Sequence, residues 1–167
     1  SKEYGLLALF FAGLLLTAGG STWYHLQPND AGLAVDRLGM VVAFAGLLGL
    51  AGADRVSQRM GVLLSGVVIV FGVASVVFWT ASGNVLPWLV VQFGGMALMV
   101  WFACLKPRSG GLAVRWGMVI GFYALAKLLE LADHQVYDLS AHFVSGHSLK
   151  HIVASFAAWP VISAINK

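Results

Sequence analysis

The chain has 167 residues, 59% of them hydrophobic and only 10% charged. An ordinary soluble domain carries about 25% charged residues, so the composition argues against a soluble globular domain and for a membrane protein. The net charge is +3, with no basic patch suited to nucleic acid, and the single cysteine, Cys104, lies in an apolar stretch and forms no intrachain disulfide.

In chain order, the apolar segments predict six membrane-spanning helices, at residues 4–24, 35–53, 59–80, 85–105, 112–131 and 147–165. A span needs roughly 20 apolar residues. Residues 60–105 contain no Asp, Glu, Lys or Arg and are too long for one helix. Ser82, Gly83, Asn84 and Pro87 mark the turn that divides them. All six segments are apolar all round, whereas a soluble helix shows an apolar stripe and a charged face. The expected fold is therefore all-α, a polytopic transmembrane helical bundle forming a single domain over 1–167. Lys2 and Glu3 precede a first segment that ends in polar motif residues, so a cleaved signal peptide is not expected. Twenty glycines suit close helix approach, and Gly117 and Gly121 give one GxxxG spacing.

Polar residues concentrate at segment ends. The first segment closes on Ser21-Thr22-Trp23-Tyr24-His25, and the second opens on Asp36 and Arg37. The fifth carries Lys127 and Glu130, with Asp133 just beyond, at helical spacing that predicts an internal ion pair of Lys127 with Glu130. His134 and His142 fall in the following loop and read as surface residues. The last segment opens on His147-Ser148-Leu149-Lys150-His151. Most of the six tryptophans flank span ends, as an interfacial belt does. Arg37 and Lys150 adjoin the motif residues, where they attract an anionic headgroup or snorkel.

The basic residues set the expected orientation. With six spans, Lys2, Arg55, Arg59, Lys106, Arg108, Arg115 and Lys167 fall on one side, against Arg37 and Lys150 on the other. The first side is then cytoplasmic, with both termini, and Ser21, His25, Asp36, His147 and His151 lie near the exoplasmic face.

Residues four apart on a helix share a face, so His147 with His151, and Ser21 with His25, each converge on one point. Ionisable groups at a membrane are costly and usually mark function. Catalytic zinc commonly takes three protein ligands and leaves one position open. His25, His147 and His151 are the candidate ligands, with zinc lowering the pKa of a water from about 15.7 towards 7. Asp36 is the candidate general base and Ser21 the candidate oxyanion donor. Each residue alone also has an ordinary reading: interfacial histidines, a packing serine, or an N-cap aspartate. Imidazoles beside a carboxylate also suit iron, manganese or nickel.

The order Ser-xxx-His, then Asp36-Arg37-Leu38-Gly39-Met40, then His-xxx-His in the last helix resembles the CREST superfamily of membrane proteins. That superfamily includes the alkaline ceramidases and the adiponectin- and progestin-type receptors. The Asp36 segment and the Gly146–Lys150 run with His151 look closest to alkaline ceramidases and their bacterial relatives. The resemblance implies a seven-helix bundle, of which this chain carries six helices and lacks the first. It further implies zinc on His25, His147 and His151, with Ser21 and Asp36 beside the bound water.

The resulting expectation is an integral membrane zinc-dependent hydrolase, in a bacterial inner membrane, cleaving an amide bond of a ceramide-like or other N-acyl lipid. The alternative is a metal-stabilised membrane receptor or structural protein with little or no turnover. A haem-ligating bundle is a third reading.

Overall fold

A computed structural model describes residues 2–166; Ser1 and Lys167, and the side chain of Lys2, lie outside the described residues, so the charged groups of two basic residues counted above are not described. Among the described residues the chain is all-helical, as expected. It forms two compact units, one up to Gly111 and one from Leu112 onward.

The first unit contains α1 (Lys2–Leu26), α2 (Asp30–Arg55), α3 (Gln58–Ser82) and α4 (Leu86–Cys104). Local chemistry sets their ends. Asn29 caps α2, its Oδ1 accepting the Gly32 N–H at 2.8 Å, and Ser57 caps α3, its Oγ accepting the Met60 N–H at 3.1 Å. α3 stops at Gly83, which takes the left-handed conformation (φ 71) that glycine adopts without strain. Pro87 lies in the first turn of α4, where a missing N–H costs nothing. The turn expected at 82–87 is thus present.

α1 and α2 run antiparallel in close contact, because glycines remove the side chains between them. A Cβ on Gly39 would stand 2.6 Å from Thr17 N, and one on Gly20 would stand 2.8 Å from Asp36 Cα. Gly13 lies against Ala43, and Gly46 against Phe10, in the same register. Backbones at this distance gain dispersion contacts along their length, the main attraction available between helices in lipid. Gly117 and Gly121, the pair with the GxxxG spacing, make no such approach: a Cβ on either meets nothing within 4 Å.

α3 is built inside out relative to a soluble helix. Its buried positions include Gly61, Ser65, Gly72 and Ser75, while Leu63, Val70 and Phe71 are about two-thirds exposed at 65%, 64% and 64%. Small residues inside and large apolar residues outside suit a lipid solvent. At one end of this unit Arg108, in the segment after α4, ties α1 to α2. Its Nη2 meets Glu3 Oε1 at 3.2 Å, its Nε donates to Ala53 O at 3.1 Å, and its N–H donates to Asp54 O at 2.9 Å.

The second unit contains α5 (Trp116–Leu131), α6 (Asp133–Leu139), α7 (Gly146–Phe156) and α8 (Trp159–Ile165). Two sequence expectations are corrected here. The fifth helix starts at Trp116 instead of residue 112, because Gly110 (φ 73) and Ala113 (φ 52) take left-handed conformations that no right-handed helix accommodates. Its 16 residues rise about 24 Å, short of the roughly 30 Å hydrocarbon core. The last helix is interrupted at Ala157 and Ala158. Pro160 has no N–H for the preceding turn and crowds it sterically, and Ala157 and Ala158 instead bond three residues back, to Ala154 and Ser155.

Among the described residues, five helical stretches are long and apolar enough to cross a membrane: α1, α2, α3, α4 and Gly146–Ile165, which α7 and α8 make together. These are the proportions of an integral membrane protein.

Candidate metal centre

The histidine pair stands at the start of α7. Ser145 caps this helix by accepting the Ser148 N–H at 3.1 Å, so helical spacing holds from Gly146 onward. His147 and His151 therefore project from one face. Their Nε2 atoms are 3.2 Å apart, and the rings meet edge to face at 72° with centroids 4.9 Å apart. His147 is half-buried and His151 exposed.

This geometry fits a metal. Two imidazole nitrogens bound to tetrahedral zinc at about 2.0–2.1 Å stand about 3.4 Å from each other. The observed Nε2 separation of 3.2 Å is within a few tenths of that value. Neutral imidazole nitrogens are also donors that suit zinc.

In the first unit, the other predicted residues lie at the end remote from Arg108. Ser21 is half-buried on α1, and His25, one turn later in the last turn of that helix, is exposed with its ring 5.6 Å from that of Tyr24. Asp36 is half-buried, and its Oδ1 is shielded from solvent. The contact of Gly20 with the Asp36 backbone puts Ser21 and Asp36 at the same level of the α1–α2 pair. The N-cap reading of Asp36 is corrected: Asn29 holds that role, and Asp36 lies nearly two turns inside α2.

Two features escaped the sequence reading. Arg37, beside Asp36, is stacked on tryptophans from the next two helices, 4.0 Å from the Trp79 ring centroid and 5.6 Å from that of Trp88. Aromatic faces stabilise a guanidinium where water is scarce. The interfacial belt expected from the sequence locates both tryptophans at a span end but gives no contact partner. The second feature is α6, which occupies part of the expected loop. His134 lies in that helix, while His142 takes a left-handed conformation (φ 68) with its Nε2 3.4 Å from Asp138.

The predicted ion pair of the fifth helix is present, with Lys127 Nζ 2.7 Å from Glu130 Oε2. No family model matches the sequence, no curated protein matches it, and no solved structure matches it.

Proposed function

We propose that this chain is a membrane-embedded zinc hydrolase of the CREST type, closest to the bacterial alkaline-ceramidase-like proteins. In this reading His25, His147 and His151 hold the metal, and the substrate is a lipid with an amide bond, ceramide-like or another N-acyl lipid. The observation that carries the reading is the convergence of the His147 and His151 Nε2 atoms at 3.2 Å. Two rings holding one metal ion would bring their nitrogens to about this separation.

Bound zinc would supply a water molecule acidic enough to lose its proton near neutral pH. Asp36 would be the general base, accepting a proton at a carboxylate oxygen and passing it to the leaving amine, so that the site's charge would be the same at the start and end of the cycle. Ser21 Oγ donates to the amide carbonyl oxygen as negative charge develops there. The solvent shielding of Asp36 Oδ1 supports a charged role for that carboxylate, since electrostatic interactions grow as water is excluded. Apolar outer surfaces such as that of α3 suit a substrate dissolved in lipid. The basic end of the first unit faces the cytoplasm and the Asp36 end faces the exoplasmic side.

The test is metal content of the detergent-solubilised protein, wild type beside His151→Ala. About one zinc per chain is expected, and its loss in the variant. A folded wild type that retains no metal overturns the reading.

A further inference from the structure

The histidine pair does not depend on α7 alone. A helix of 11 residues is marginal by itself, and its rotation about its own axis decides where two imidazoles point. In the second unit, three contacts tie the first turns of α7 to α5 and α6. Gly146, just before His147, lies directly against the Leu129 carbonyl oxygen, with no room for a Cβ, and that Cβ would stand 2.8 Å from Asp133 Cα. Asp133 Oδ1 accepts the His147 backbone N–H at 2.6 Å. Lys150, between the two histidines, donates to Glu130 Oε1 at 2.6 Å, while Lys127 donates to Glu130 Oε2 at 2.7 Å.

The sources of these bonds matter. The first N–H groups of a helix have no partner within it, and a local cap normally satisfies them. Ser145 does so for Ser148, but His147 is served by a carboxylate fourteen positions earlier in the chain, on a different helix. Such a bond fixes the axial position of α7 as well as capping it. Glu130 adds a second anchor, nearly one turn further along α7, with both oxygens engaged. Two carboxylates and two ammoniums make the cluster neutral, which lowers its cost beside lipid.

We infer that Asp133 and Glu130 are positioning residues for the His147–His151 pair: they lock the register and rotation of α7, so that both Nε2 atoms meet at one point, without touching the metal themselves. This rests on the metal reading of those histidines. Partners beyond the ligands typically change metal affinity by 10–100-fold. An Asp133→Ala variant is therefore expected to bind cobalt(II), used as the probe, about tenfold more weakly.

The experiment is cobalt(II) titration of the full chain in detergent, read by visible absorption, with the fold of each variant checked by circular dichroism in the absence of metal. Asp133→Ala is expected to bind more weakly and with an altered ligand-field spectrum. Asp133→Asn keeps an oxygen acceptor for the His147 N–H and is expected to restore the wild-type spectrum. Glu130→Gln, which removes the charge held by Lys127 and Lys150, is expected to weaken binding as well, and it decides the matter if Asp133→Ala does not fold. Wild-type affinity and spectrum in Glu130→Gln and in a folded Asp133→Ala overturn the positioning role and leave the metal site standing. Failure of the wild type to bind cobalt(II) overturns the metal reading, and this inference with it.

Discussion

Asp36 lies nearly two turns inside α2 because Asn29, six residues before the start expected from hydropathy, caps that helix. A carboxylate at a helix start has an ordinary purpose, whereas one inside a membrane-spanning helix is costly unless it is used. Its neighbour Arg37 stacks on Trp79 and Trp88 and so keeps a compensating positive charge within the same unit. The role proposed for Asp36 makes a sharp prediction. Asp36→Asn should retain about one zinc per chain while lowering fatty-acid release from an N-acyl lipid by about 10²–10⁴-fold, the usual contribution of a general base. Metal retained with no turnover in the wild type either would instead favour a structural zinc. Two histidines at HxxxH spacing were legible as a pair from the sequence. The acceptance of the His147 N–H by Asp133 was not, because a backbone hydrogen bond from a distant residue leaves no mark in periodicity.

At the scale of elements, the α1–α2 pair shows what glycine contributes. The contacts at Gly13, Gly20, Gly39 and Gly46 follow one antiparallel register, and this register places Asp36 at the level of Ser21. A side chain there must push the helices apart. Gly39→Leu should therefore destabilise the protein by about 1–3 kcal/mol, the usual range for overpacking, measured as a lowered unfolding midpoint in detergent. Gly117→Leu on α5, where a Cβ meets nothing within 4 Å, should leave that midpoint unchanged, and an equal effect at both sites would sink this account. The six segments were visible as apolar runs, and their predicted ends mostly fall within a few residues of the helices. The exceptions have local causes: the Asn29 cap starts α2 five residues early, left-handed residues delay α5, and Pro160 divides the last helix. The proline was in plain view, but its effect was not read from an otherwise uninterrupted apolar run.

For the whole molecule, orientation in the membrane is the property most open to test. Cys104 is the only cysteine, is exposed, and ends α4 beside the basic residues Lys106 and Arg108. It is thus a native reporter for the positive-inside assignment. A membrane-impermeant maleimide should label it in inside-out vesicles and leave it unmodified in right-side-out vesicles. The opposite pattern would reverse the orientation and put the Asp36 end in the cytoplasm.

Composition and hydropathy by themselves determined that the chain is helical and suited to a membrane, because a backbone in lipid must satisfy its own hydrogen bonds and 20-residue apolar runs can do so only as helices. Spacing likewise determined that His147 and His151 share a face, since helical geometry is local. Tertiary structure decided which glycines form contacts, which tryptophans hold Arg37, and which carboxylates anchor α7. Those outcomes depend on the register of one helix against another. Register is the summed result of many weak packing contacts between residues far apart in the chain, and no single stretch of sequence contains it.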